Sequence, residues 1–324
     1  MNLPPPPDPI FIHGVLPRSG TNFLCDLLLL HPDCTRARAG VDEDLFLEHS
    51  DHLLTFTRSV REAWDPAWGP AGSDVDERFH ASLGDGLVSF LWANRAKRLV
   101  TKSPSVRHLD RFFTFFPTAR LLILMRDGRS VAESAMKTFG WDLDRAARAW
   151  AEGARTVQRF EREEASRADR WRLVRYEDLV DDPEPELRRL FAFLDLDATR
   201  YDFVGARSLP VRGSSAFGRG QGKVHWTRVA RDTSFAPKER WRGWSPAQLE
   251  RFEWLAGTLL AEFGYTPPRR PFTAPRSAAH TLRDWWWQAS VGARRMTYRL
   301  RGRVALRSRL AAVLRERGVR HAAR

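Results

Sequence analysis

The sequence predicts an α/β protein: a parallel sheet flanked by helices, followed by a basic helical C-terminal extension. Three observations carry that expectation. Short apolar runs suited to buried parallel strands alternate with longer segments of helical character. Two of those runs pass into loops of Gly, Arg, Ser and Thr that open helices. The chain has 324 residues, enough for one large domain or two small ones.

In chain order, residues 10–15 read as a first strand and residues 22–30 as a helix. Residues 33–50 are polar and loop-like, with the acidic cluster Asp42, Glu43 and Asp44. Residues 51–98 are mostly helical, broken by the Trp- and Pro-containing loop at 64–70. A short strand over 98–101 ends at Lys102, and residues 106–116 read as a helix. Leu121 to Met125 is a continuous apolar strand, followed by helices over 130–138 and 143–165. A strand over 171–175 precedes a helix over 186–194. Residues 205–238 are rich in Gly, Ser and Arg with weak periodicity, which predicts a long functional loop. Residues 246–263 form an amphipathic helix with Gly264 as its stop.

The first strand runs into His13-Gly14-Val15-Leu16-Pro17-Arg18-Ser19-Gly20-Thr21-Asn22. A loop feeding a helix N-terminus is an anion site, because its N–H groups point outward and the helix dipole favours negative charge. Arg18, Ser19 and Thr21 add side-chain donors. This is a P-loop-type strand–loop–helix, but no Lys follows Gly20, so the magnesium-dependent triphosphate loop does not match. A second anion pocket is expected where Leu121–Met125 meets Arg126-Asp127-Gly128-Arg129-Ser130. Arg126 ends a buried strand on the edge where open α/β sheets bind ligands, and Ser130 and Ser134 lie one turn apart on the following helix. Two phosphate pockets on one sheet suit a ligand with phosphates at both ends.

These motifs occur in order with Pro17-Arg18-Ser19-Gly20-Thr21, His31-Pro32-Asp33, Lys102-Ser103-Pro104, Phe116-Pro117, Arg175-Tyr176-Glu177-Asp178 and Arg240-Trp241. Over residues 9 to about 267 the chain resembles the sulfotransferases that use 3′-phosphoadenosine 5′-phosphosulfate (PAPS), in the branch of tyrosylprotein and related bacterial enzymes. The resemblance implies that Arg18, Ser19, Gly20, Thr21 and Asn22 hold the 5′-phosphosulfate, and that Arg126 with Ser134 holds the 3′-phosphate. It implies Tyr176 near the nucleotide. It also implies that a later segment, with Ser214 or Ser215 and Lys238 or Arg240, reaches back to the phosphates. Arg240 stands where a Lys is usual, and Arg binds phosphate bidentately.

Sulfuryl transfer needs positioning, charge stabilisation and removal of one proton. Arg18 and Lys102 are the expected catalytic cations near the bridging oxygen. Glu43 is the favoured general base, with His49 as the alternative. No metal is expected. The acceptor class stays open among small molecules, glycans, lipids and peptides. The alternative functions are a P-loop kinase or nucleotide-binding protein, or a non-catalytic binder of anionic surfaces. The kinase reading lacks its Lys and a magnesium-binding acid at a strand end.

The formal charge of +13 is uneven. Residues 269–324 hold fifteen arginines, no lysine and two acids, Asp284 and Glu316, so residues 1–268 are neutral by count. This divides the chain into a catalytic domain over 1–268 and an Arg-rich extension over 269–324. In the extension Trp285-Trp286-Trp287 precedes Arg-rich turns with Met296, Leu300, Val304, Leu310, Val313 and Leu314. That pattern suits an anionic membrane surface or an added helical layer equally, with nucleic acid ranked well below. No stretch of eighteen apolar residues and no signal core occur, so a cytoplasmic, membrane-peripheral location is expected. Cys25 and Cys34 form no metal or disulfide pattern.

Overall fold

The structure is a computed structural model that describes residues 7–64, 72–210, 212, 237–265 and 272–290. The chain divides into two compact units, Met1–Pro267 and Pro268–Arg324. The first unit is a five-stranded parallel sheet with helices on both faces. Its strands are β1 (Ile10–Gly14), β2 (Cys34–Arg36), β3 (Arg98–Ser103), β4 (Arg120–Met125) and β5 (Trp171–Arg175), in the order β2-β3-β1-β4-β5.

Alternation along the strands explains the two layers. Ile10 and Ile12 of β1 join Val100, Leu122, Leu124 and Val174 in one core, under α1 (Thr21–Leu28) and a later helix over 183–193. Phe11 joins Leu99, Leu121, Ile123 and Met125 in the other core. That second face is covered by α2 (Ser50–Ala63), α3 (Val75–Leu91), α4 (Phe112–Phe115), α5 (Gly128–Phe139) and α6 (Leu143–Glu163). Next come α7 (Tyr176–Asp181), α8 (Pro183–Phe193), α9 (Phe203–Arg207) and α10 (Pro246–Glu262). Ser245 caps α10 with Gln248 in a reciprocal capping box, and Gly264 follows at φ 75°.

Several boundaries differ from the sequence expectation for physical reasons. Residues 34–36, expected as loop, form the edge strand β2, too short to show a period. The helix expected over 106–116 is only a 3-10 turn at Leu109–Arg111 plus the single turn of α4, because His108 takes a left-handed φ of 58°. Lys102 lies inside β3 opposite Ile12 rather than beyond its end. The helix α7 was not expected, and the 205–238 loop begins inside α9. Ser214 and Ser215 lie outside the described residues, as do residues 291–324.

The strand order puts β1 between β3 and β4. The chain leaves β1, crosses to the β2–β3 side, then returns to β4 on the other. Ligands of open α/β sheets bind in the crevice at such a switch point, outside the carboxyl ends of the strands.

Candidate active site

The loop after β1 is built tightly. Ser19 Oγ donates to the Leu16 carbonyl (2.6 Å) and accepts from the Leu16 N–H (3.2 Å). The Ser19 side chain therefore staples the loop expected to hold the phosphosulfate. Gly20 has φ 101°, and a Cβ there would lie 2.4 Å from the Tyr176 ring. The glycine thus permits both the turn and the packing of Tyr176 beneath it. Thr21 and Asn22 open α1, where first-turn N–H groups have no intrahelical acceptor. Asn22 also brings a buried Oδ1 without a hydrogen-bond partner. The amides at the start of α1 leave donor capacity for an anion.

On the β4 side of β1, three arginines converge. Arg126 ends β4, donates to the Arg18 carbonyl (2.7 Å) and stacks over the Tyr176 ring at 4.3 Å. Its Nε is buried without a hydrogen-bond partner. Arg18 has φ 84°, which turns its side chain across the loop, and its Nε donates to Ser134 Oγ at 3.1 Å. Arg240 reaches the same hydroxyl at 3.4 Å. Burial, and then Arg126, push the Arg18 guanidinium down to about 10. Burial, with Arg126 and Arg18, pushes Arg240 down to about 10 as well. Positive charge is thus concentrated, partly desolvated and mutually repelling, a state that a dianionic phosphate would relieve. Asp127 caps α5 by accepting from Arg129 N, and Ser134 lies on the face that this start presents.

For Arg18, expected as a phosphosulfate ligand and a catalytic cation, the guanidinium stands with Ser134 of the second pocket. Lys238, expected with Arg240 as the group reaching back to the phosphates, uses its two ends differently. Its ammonium pairs with Asp181, while its carbonyl accepts from Ser130 Oγ and the neighbouring Pro237 carbonyl accepts from Arg126. Residues 237–240 hence strap across the pocket through backbone groups, and Arg240 supplies the side chain.

On the β3 side, Lys102 is 1% exposed, and its ammonium meets Asp42 Oδ2 (3.2 Å) and Glu43 Oε1 (3.3 Å). The acidic segment is fixed there by Asp44, which accepts from Thr101 Oγ1 (2.8 Å) and donates its N–H to the Lys102 carbonyl (3.0 Å). Burial tends to raise the Asp42 carboxyl, but Lys102 and Arg212 outweigh it and hold the group below the usual carboxylate range. His49 is exposed, ends the 3-10 turn at Leu47–His49 and stacks on His52 at 6.2 Å. The structure brings Glu43 to Lys102 and leaves His49 on the surface.

Two contributors escaped the sequence reading. His13, at the end of β1, bonds the Ser105 carbonyl through Nδ1 (2.8 Å), and its buried Nε2 has no hydrogen-bond partner. Burial lowers its pKa despite Asp44 and the Ser105 carbonyl, so the neutral ring donates from Nδ1 and steadies the loop after Lys102. Its signal was a polar residue inside an apolar strand. Glu177 accepts from the Asp127 N–H (3.0 Å) and from Tyr265 Oη (2.9 Å), tying α7 to the start of α5. Burial raises its carboxyl.

A parallel α/β sheet with an anion loop after β1, an arginine pocket after β4 and a buried Lys–carboxylate pair on β3 defines a transferase of phosphate-like groups. A model of the sulfotransferase family matches residues 9–200. The chain belongs to that family, whose enzymes move a sulfuryl group from PAPS to an acceptor. It is 27% identical over 281 residues to protein-tyrosine sulfotransferase 1 of Danio rerio, covering 81% of this chain and 73% of that one. It is 26% identical to the protein-tyrosine sulfotransferase of Drosophila melanogaster, covering 81% and 52%. The fold is shared with the sulfotransferase domain of the Synechococcus PCC 7002 olefin synthase, at TM-score 0.52 and 22% identity over 82% of this chain and 98% of that domain.

Proposed function

We propose that residues 1–268 catalyse sulfuryl transfer from PAPS to a hydroxyl on a protein or peptide, and that a tyrosine phenol is the acceptor. The acceptor reading rests on the tyrosine sulfotransferase relatives. The observation that carries the site assignment is the pairing of two built pockets across β1. Arg18, Arg126, Arg240 and Ser134 converge on one side, and Lys102 with Glu43 stands on the other. The first pocket would hold the 3′-phosphate. The amides of Gly20, Thr21 and Asn22 would hold the 5′-phosphosulfate at the dipole end of α1.

The chemistry then divides among this chain's residues. Glu43 takes the proton from the acceptor hydroxyl as its oxygen bonds to sulfur. The bond from sulfur to the bridging oxygen breaks, and 3′-phosphoadenosine 5′-phosphate leaves with the extra negative charge. Lys102 has three N–H donors, so it can hold Glu43 and the departing oxygen together. No step requires a metal.

The test is transfer of labelled sulfate from PAPS to tyrosine-containing peptides, with and without EDTA. Transfer unaffected by EDTA, and lost in Lys102→Ala, is the expected result. Calorimetry with 3′-phosphoadenosine 5′-phosphate should show binding that Arg126→Ala abolishes. Absence of binding by the wild-type protein would sink the reading.

A further inference from the structure

Sulfuryl transfer leaves one feature of the second unit unused. Residues 274–290 form a helix. On it Ala278, Ala279, Leu282, Trp285, Trp286 and Ala289 are all exposed and recur at helical spacing. At 3.6 residues per turn they fall within a stripe of about 120°. Leu282, Trp285 and Trp286 are 59%, 61% and 63% exposed. Among the described residues seven large apolar side chains are exposed, and three of them lie on this stripe. The Trp285 and Trp286 rings meet edge to face at 5.3 Å, forming one continuous aromatic surface.

The remainder of the helix is polar in a matching way. Arg276 and Arg283, seven residues apart, flank one side of the stripe, and Thr281 and Gln288 flank the other. Ser277, His280, Asp284 and Trp287 make the opposite, half-buried face. The segment that carries this helix, residues 269–324, has fifteen arginines against two acids.

An apolar stripe of Leu and Trp edged by arginine matches the boundary between lipid headgroups and acyl chains. Tryptophan suits that depth because its ring is apolar while its N–H stays wet. The occupant must also tolerate the arginines. A second copy of the chain would bring the same positive charge and be repelled. A nucleic acid would satisfy the charge but would leave a continuous Leu and Trp stripe in water. We propose that the C-terminal unit docks the enzyme on an anionic lipid surface. Leu282, Trp285 and Trp286 enter at headgroup level, and Arg276 and Arg283 at the edge of the stripe face the lipid phosphates.

The full-length protein is incubated with vesicles of phosphatidylcholine alone, or of phosphatidylcholine and phosphatidylserine in equal parts, and sedimented. Binding is expected to the mixed vesicles only and to weaken as salt rises. The combined substitution L282S, W285S and W286S should lower that binding by about tenfold or more, as the apolar contribution is removed. Calorimetric binding of the nucleotide should be unchanged, which reports that the variant is folded. Brominated lipids should quench tryptophan emission of the wild-type protein and not of the variant. Failure of the wild-type protein to sediment with mixed vesicles overturns the proposal. So does undiminished binding by the triple variant, which would leave charge alone at work. A change from dimer to monomer in the variant, without vesicle binding by the wild type, would assign the stripe to a second copy. Retention on nucleic acid in place of vesicles would equally overturn it.

Discussion

Asp42 and Glu43 reach the same Lys102 ammonium, and their surroundings separate them. Asp42 also faces Arg212, and the two cations hold its carboxyl below the usual range, which makes it a weak proton acceptor. Among the described residues Glu43 pairs with Lys102 and not with Arg212. Glu43→Gln should therefore lower kcat by about 10²- to 10⁴-fold, the span of a lost general base. Asp42→Asn should stay within about tenfold, since it alters only one partner of Lys102. Steady-state rates at saturating donor decide between them, and equal losses would show that the pair acts as one unit. The arginine pocket makes a separate prediction in pH. Arg18 and Arg240 lose their protons only near 10, so both stay charged from pH 7 to 9. Affinity for 3′-phosphoadenosine 5′-phosphate should be flat across that window. It should fall below about pH 6, where the phosphate monoester gains its proton and one negative charge is lost. Calorimetry across pH 5 to 9 tests this, and a decline between 7 and 9 would mean that another protein group carries the binding.

The helix α6 is the element that locks both pockets to the sheet. Trp150 Nε1 donates to the Arg126 carbonyl (3.1 Å), and a Cβ on Gly153 would lie 2.3 Å from the Val15 carbonyl. Close approach at Gly153 lets α6 press on the phosphate loop, and Trp150 fixes the strand end that bears Arg126. The helix is itself held by α10 through Arg251 and Asp144, a pair in which Arg251 is 1% exposed and Nε stands 3.1 Å from Oδ2. Arg251→Ala should destabilise the protein by about 3–5 kcal/mol, because a buried carboxylate loses its partner. Urea unfolding measures it, and replacing both residues by apolar ones of similar volume should recover much of the loss. Elements of this kind were legible in sequence where a pattern was long enough. The strands β1 and β4 show as apolar runs, and α5, α6 and α10 show as long periodic helices. The three-residue strand β2 carries no period, and α7 ends after six residues before Pro183, so neither stood out. Motif order singled out Lys102, Arg126 and Ser134 as candidates. It did not give the direction of the Arg18 side chain, because a left-handed φ of 84° at a non-glycine residue has no sequence signature. The Ser19 staple was hidden for a related reason, since a hydroxyl near a phosphate loop reads as a ligand until its own backbone partner is seen.

At the scale of the whole molecule, the neutral charge of residues 1–268 conceals a strong local imbalance. Three guanidinium groups gather at one pocket: Arg18 and Arg240 both reach Ser134 Oγ, and Arg126 donates to the Arg18 carbonyl. Burial and mutual repulsion push Arg18 and Arg240 down to about 10, so their charged forms oppose folding. That opposition is fully present below about 10, including at pH 7, and fades as pH rises above it. A ligand bearing a 3′-phosphate offsets it by bringing negative charge to the arginines, so nucleotide binding and fold stability are coupled through this pocket. At a hundredfold excess over Kd the nucleotide should stabilise the protein by about 2.7 kcal/mol. For a body of this size the shift in Tm should be roughly 5–10 °C. Adenosine 5′-phosphate engages the loop after β1 but brings no phosphate to the arginines, so at equal concentration its shift should be much smaller. Thermal unfolding with each nucleotide in turn distinguishes the two pockets. Equal shifts from both would mean that the arginine cluster serves the fold rather than the 3′-phosphate.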